Sequence, residues 1–98
     1  MFVRIVKMSF QPEKIDAFLA NFNTKKELIR KSPGCNLLEL YRDRTNSNVF
    51  FTYSYWDQEK DLENYRNSEL FKSIWAETKA LFNDKPLAWS VDKIVSLP

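Results

Sequence analysis

The chain has 98 residues and a net charge of +2 at pH 7, from 15 basic and 13 acidic side chains. Aromatic residues make up 15% of it, glycine and cysteine occur once each, and histidine is absent. The most frequent general base and neutral metal ligand of proteins is therefore missing. One cysteine excludes an internal disulfide or a zinc knuckle, and one glycine excludes the glycine-rich loops that hold nucleotides. We expect one domain over residues 1–98.

The charge pattern favours neither a nucleic-acid nor a membrane partner. Basic and acidic residues alternate along the chain, whereas surfaces that bind nucleic acid or anionic lipid carry clustered cations. Arg4 and Lys7 interrupt the apolar N-terminal residues before a signal peptide could form. No apolar run approaches the roughly 18 residues of a membrane span. We therefore expect a cytoplasmic protein in which Cys35 is a reduced thiol.

Hydrophobic periodicity in the first half of the chain predicts a strand, a helix and two further strands. Residues 2–10 alternate, and apolar residues from 15 to 29 recur at helical spacing. Gly34 ends this helix because glycine adopts a positive φ without strain. Residues 35–43 and 48–56 predict two strands joined by a turn, the second being almost entirely β-branched or aromatic.

The second half predicts two helical segments and a last strand. Asp57 is the predicted N-cap of the first segment, and Ser68 is that of the second. Pro86 ends the helical region, and Trp89 to Val95 alternate as a strand. The order β-α-β-β-α-β is that of a ferredoxin-like α+β domain, a four-stranded antiparallel sheet with helices on one face.

The third predicted strand is apolar on both faces. Alternation divides its side chains into Phe51, Tyr53 and Tyr55 on one face and Phe50, Thr52, Ser54 and Trp56 on the other. A strand with one wet face would carry polar residues there. The face without helices therefore needs a cover, and a second copy of the chain is the simplest one. We predict a homodimer joined sheet to sheet, with Phe51, Tyr53 and Tyr55 in its interface.

Several segments resemble the antibiotic biosynthesis monooxygenase (ABM) family in their order and spacing. They are Pro33-Gly34-Cys35, residues 38–43, Val49-Phe50-Phe51 leading to Trp56, and residues 62–71. This resemblance covers nearly the whole chain and implies a ferredoxin-like protomer in a dimeric α/β barrel, with a pocket between sheet and helices. In characterised members that pocket oxidises electron-rich aromatics such as quinols and anthrones, using O₂ and no bound cofactor. We therefore expect a monooxygenase with a small aromatic ligand and no cofactor.

The chain departs from the family pattern at four polar positions. Tyr65 and Leu70 stand where many members have histidine, Ser54 where many have glutamate, and Thr52 where some have asparagine. A related branch degrades haem with an axial histidine, which this chain lacks. These departures favour, as the alternative function, a non-catalytic dimer of the same fold that binds or senses a small molecule.

Aromatic side chains dominate the predicted site. Trp56 is the first catalytic candidate, because its indole can line the pocket and its N–H can donate to a substrate oxygen. Tyr65 is the second, as a donor, since a phenol with a pKa near 10 is a poor base at pH 7. For both residues the alternative is ordinary core packing. The other predicted pocket residues are Phe50, Thr52, Ser54, Phe71 and Trp75.

Other charged and aromatic groups have simpler interpretations. Lys7 and Glu39, both in mid-strand, are interpreted as members of ion pairs rather than as an acid and a base. Asp57 and Asp61 lie one helical turn apart with no third ligand nearby, so we expect no metal site. RNA binding is a third and weaker possibility, because residues 48–55 lack the glycine and the leading cation of the RNA recognition motif.

Overall fold

A computed structural model describes all residues 1–98 and contains a four-stranded sheet covered on one face by three helices. The strands are Phe2–Ser9 (β1), Cys35–Arg42 (β2), Val49–Trp56 (β3) and Leu87–Val91 (β4). The helices are Ile15–Arg30 (α1), which follows a 3-10 turn over Pro12–Lys14, Glu59–Arg66 (α2) and Glu69–Lys79 (α3). The sheet order is β2-β3-β1-β4 with every neighbouring pair antiparallel, which confirms the ferredoxin-like α+β prediction. None of these helices combines the length and apolarity needed to cross a membrane.

Two predicted local signals are confirmed. Gly34 has a φ of 84°, in the region that favours glycine, and it follows α1 directly before β2. Ser68 caps α3, since its Oγ accepts a hydrogen bond from the backbone N–H of Phe71 at 3.1 Å.

Two other local predictions are wrong. Asp57 is not the N-cap of α2. The helix begins at Glu59, and the N-cap is Gln58. The carboxylate of Asp57 accepts a hydrogen bond from Asn36 Nδ2 at 2.7 Å instead, because a bulge between Cys35 and Leu37 leaves Asn36 as an extra residue beside it. The last strand ends at Val91 rather than Val95, since Val91 already pairs with Val3 near the start of β1.

The strand register separates two faces of the sheet. On the helix side, Ser54 pairs with Arg4 and Leu38, and Thr52 pairs with Val6 and Leu40. The side without helices is mostly apolar and aromatic, and it carries Val3, Ile5, Leu37, Phe51, Tyr53, Tyr55, Leu87, Trp89 and Val91. Alternation in β3 is unbroken, so its two sets of side chains divide as the sequence predicts.

Two clusters of buried apolar residues hold the helices on the sheet. The larger one contains Met8, Phe10, Ile15, Phe18 and Phe50. The smaller one contains Phe2, Cys35 and Trp56, with Leu62 and Tyr65 packed against it. Burying one such large apolar side chain contributes about 1.5–3 kcal/mol.

Candidate functional site

A cavity of about 380 Å³ lies between the helix side of the sheet and the helices. This volume lies in the range of small-molecule sites, roughly 300–1,000 Å³. Thirteen of its 19 lining residues are hydrophobic, and they include Met8 and Phe18 of the larger cluster and Trp56 of the smaller one. The cavity therefore lies where the two clusters face each other, and its walls are suited to an apolar ring system.

Six of the seven residues predicted for the site border this cavity. They are Thr52, Ser54, Trp56, Tyr65, Phe71 and Trp75. Phe50 is not among the lining residues, although it is on the helix side of β3. Its ring packs on Phe10 and Phe18, with centroids 5.8 and 5.2 Å away, because these aromatics cover that end of the sheet.

Trp56 forms a buried wall of the cavity and is 1% exposed. Its indole N–H, predicted to be available to a substrate, instead donates to Ser54 Oγ at 2.9 Å. Ser54 accepts this bond and keeps its own hydroxyl proton, which no group of the chain accepts. The hydrogen-bond donor that this pair offers to the cavity is therefore the serine hydroxyl.

Tyr65 lies between Trp56 and Phe71 in a continuous row of aromatic rings. It stacks on Trp56 at 5.2 Å with 30° between the planes, and it meets Phe71 edge-on at 5.2 Å. Phe71 in turn stacks on Trp75 at 5.8 Å. Burial raises the pKa of Tyr65 well above its usual value of 10.0, and the charge of nearby Cys35 makes a smaller contribution in the same direction. The phenol therefore stays protonated, and it can donate a hydrogen bond but cannot act as a base.

Two arginines that were not predicted from the sequence also border the cavity. Arg4 is half-buried on the helix side of β1, and its guanidinium donates to Ser90 Oγ at 3.1 Å. Arg66 ends α2 beside Tyr65. Burial and the nearby charge of Arg66 lower the pKa of Arg4. The position of Arg4 could have been predicted from the alternation of β1, because Arg4 is an even number of residues away from the apolar side chains that face the helices.

The remaining chemical candidates lie outside the cavity lining. Glu39 is on the face without helices and accepts a hydrogen bond from the Tyr41 hydroxyl at 2.6 Å. Lys7 is on the same face of the sheet. Cys35 is 5% exposed, and burial raises the pKa of its thiol, which makes it a weak nucleophile. No three side chains of the metal-ligating kinds His, Cys, Asp and Glu come together.

Comparison with known proteins gives one family and many similar folds. The family model for antibiotic biosynthesis monooxygenase matches residues 1–77. A crystal structure of an antibiotic biosynthesis monooxygenase superposes with a TM-score of 0.90 at 21% identity, covering 97% of this chain and 100% of that one. A conserved protein from Methanosarcina mazei Go1 gives 0.88 at 22% identity, covering 95% and 93%.

A protein from Mycobacterium tuberculosis gives a TM-score of 0.87 at 14% identity, covering 99% of this chain and 98% of that one. No curated protein matches the sequence at a significant level. At these identities the structural similarity shows the shared fold alone. The family itself rests on the sequence match over residues 1–77.

Proposed function

The chain belongs to the antibiotic biosynthesis monooxygenase family, and from this premise we propose that it is a cofactor-independent monooxygenase. Its substrate is a small electron-rich aromatic molecule of the quinol or anthrone type, and its oxidant is O₂. The observation that carries the proposal is the cavity of about 380 Å³, with aromatic walls and a few hydroxyl groups, between sheet and helices. Such walls exclude water from a reactive ring and hold it by stacking.

The reaction needs a substrate that gives up electrons once it has lost a proton. For an anthrone, the CH₂ group becomes a carbonyl: one oxygen atom of O₂ enters the carbon, and the two hydrogens leave with the other atom as water. The substrate supplies all four electrons, so the balance closes without a further reductant. The protein has to position the ring, stabilise the charge that develops on the substrate oxygen, and exclude water.

Three cavity residues suit these tasks. Trp56 and Tyr65 present stacked ring faces as one wall. The hydroxyls of Tyr65 and Ser54 are donors for a substrate oxygen that becomes negatively charged, and donors of this kind are most effective in a dry site. Thr52 lies on the same face of β3 as Ser54 and also lines the cavity.

The functional assembly in this proposal is a homodimer joined through the sheet faces that carry no helices. Family members are typically dimers. In this chain that face is mostly apolar and aromatic, and Trp89 on it is 44% exposed. A second copy would bury these side chains from water.

Oxygen uptake tests the function directly. Purified protein treated with chelator is mixed with quinols, anthrones and flavonols, and O₂ consumption is compared with the uncatalysed rate. The test variant is Ala88→Phe, because Ala88 borders the cavity from β4 and a ring there would occupy it. The matched control is Ala76→Phe, since Ala76 is exposed on α3 and does not border the cavity.

We expect uptake above background with at least one substrate, lost in Ala88→Phe and kept in Ala76→Phe. Uptake that is equal in both variants would remove the reaction from this cavity. Binding of these aromatics without any uptake would favour the alternative function, a non-catalytic dimer that binds or senses a small molecule.

A further inference from the structure

Arg4 is a charged side chain at a position that the fold otherwise makes apolar. It is the one charged residue on the helix side of β1, and the other side chains of β1 on that side are Phe2, Val6 and Met8. Across the sheet it lies between Ser54 and Ser90, and its guanidinium has one hydrogen-bond acceptor in the chain, the Ser90 hydroxyl. A half-buried cation without a carboxylate partner is unfavourable, because its lost hydration is not replaced by an opposite charge.

Arg66 brings a second positive charge to the same end of the cavity. It extends from the last turn of α2 and borders the cavity together with Arg4, Ser54 and Tyr65. Burial of Arg4 is the larger cause of its lowered pKa, and the nearby charge of Arg66 lowers that pKa further. Two like charges beside one apolar space repel each other, and a bound anion would relieve both the repulsion and the lost hydration.

Two acidic residues border the same region as this pair without forming an ion pair with it. Glu59 and Glu63, both exposed on α2, line a polar recess outside the cavity that Arg4 and Arg66 also border. No hydrogen bond joins either glutamate to either arginine, while Arg4 uses the Ser90 hydroxyl. The two arginines therefore border both the polar recess and the cavity.

We propose that this cavity selects aromatic ligands that carry an ionised oxygen group, a carboxylate or a phenolate, and that Arg4 and Arg66 bind that group. The ring system lies in the aromatic part of the cavity, against Trp56 and Tyr65, and the anionic oxygen points to the two guanidinium groups. Guanidinium suits this role because its planar array of N–H donors matches oxygen anions.

A preference for anions narrows the class of substrate. Its consequence for the oxidation rests on the proposed monooxygenase function. A site that stabilises the ionised form of a quinol or phenol lowers the pKa of that ligand when it is bound. The electron-rich anion then forms without a protein base, and this suits a chain without histidine whose cavity phenol stays protonated. Binding of the anion, however, does not require any turnover.

Calorimetric titration under anaerobic conditions tests the selection separately from oxidation. The first pair of probes is 2-naphthoate and 2-naphthamide, which have the same ring and differ in charge. The second pair is a dinitronaphthol, ionised at neutral pH, and its neutral methyl ether. The variants are Arg66→Gln, Arg4→Gln and the conservative Arg4→Lys, with Arg44→Gln, an exposed arginine in the β2–β3 turn, as the charge-matched control.

We expect at least one anionic probe to bind about tenfold or more tightly than its neutral partner, which corresponds to about one charge-assisted hydrogen bond. Arg66→Gln and Arg4→Gln should each remove most of that preference, Arg4→Lys should keep part of it, and Arg44→Gln should leave it unchanged. The pair of probes that shows the preference identifies the carboxylate or the phenolate.

Equal affinity within both pairs, a preference equally weakened by Arg44→Gln, or no binding of either anion would overturn the proposal. Anion preference together with absent oxygen uptake would leave this proposal standing and contradict the monooxygenase function.

Discussion

The indole N–H of Trp56 donates a hydrogen bond to Ser54 Oγ, 2.9 Å away and two residues earlier on the same face of β3. Trp56 is 1% exposed, so its indole N–H depends on this acceptor rather than on bulk water. A buried N–H without a partner costs about 1–3 kcal/mol. The hydroxyl at position 54 therefore fixes the orientation of the ring that forms one wall of the cavity.

Replacing this serine with alanine should destabilise the protein. We expect Ser54→Ala to lower the free energy of unfolding by about 1–3 kcal/mol, because the indole N–H loses its acceptor in a buried site. Urea denaturation followed by far-UV circular dichroism measures the change. Ser73→Ala is the control, since Ser73 is exposed on α3, and it should stay within about 0.5 kcal/mol of the wild type. Equal stability of the two variants would contradict the role of this hydrogen bond.

The sequence predicts the backbone plan because its signals are local. Alternation in β3 separates Trp56 from Tyr55, and the structure keeps that separation. Gly34 and Ser68 are each read from the residue type and its immediate neighbours, and both occupy the predicted turn and cap. These signals depend on backbone dihedral angles and on hydrogen bonds within three residues, which one sequence contains.

The arrangement of polar groups in the cavity depends on contacts between distant elements, and these are not visible in one sequence. Asp57 has a good capping side chain, but its carboxylate accepts a hydrogen bond from Asn36, which lies in a bulge 21 residues earlier. Arg66 is one of several charged residues on a short helix, and only the position of α2 over the sheet brings it near Arg4. Phe50 has the right parity for the cavity, yet the aromatics near the start of α1 enclose it.

The pKa of Tyr65 predicts a loss of stability at alkaline pH. Below pH 10 the folded and unfolded chains both hold this proton, so the group adds no pH dependence. Above the usual value of 10.0 the unfolded chain releases the proton, while burial keeps it on the folded one. The free energy of unfolding should therefore fall by up to about 1.4 kcal/mol per pH unit from this residue.

Tyr65→Phe should remove that contribution. Urea denaturation from about pH 8 to about pH 11 is compared for the wild type, Tyr65→Phe and Thr52→Val, the last being a cavity variant that keeps Tyr65. The wild type and Thr52→Val should share the steeper fall above pH 10, and Tyr65→Phe should be shallower. Identical slopes in all three proteins would show that the phenol is not shielded in the folded chain.

Gly34 is required by its backbone angle and by the close approach of α2. With a φ of 84° it occupies the left-handed region, and an added Cβ would overlap the side chain of Asp61. Gly34→Ala should therefore lower the free energy of unfolding by about 1–3 kcal/mol. The cost of Gly34→Ala should be smaller when it is measured in an Asp61→Gly background, because the side-chain atoms that the added Cβ would overlap are then absent. Additive effects in this double-mutant cycle would assign the whole cost to the backbone angle.

The sheet face without helices predicts that the protein self-associates. Trp89 lies on β4 on this face, beside Ile5, and is 44% exposed in the single chain. Sedimentation velocity should give the wild type a mass near twice the 11.7 kDa of one chain. Trp89→Glu should shift it towards one chain, because a carboxylate loses its hydration when it is buried in a mostly apolar interface. Leu28→Glu is the matched control: Leu28 is an apolar residue on α1, 52% exposed, and its replacement should leave the dimer intact. Far-UV circular dichroism checks that both variants fold. A monomeric wild type, or a folded Trp89→Glu variant that stays dimeric, would place any interface elsewhere.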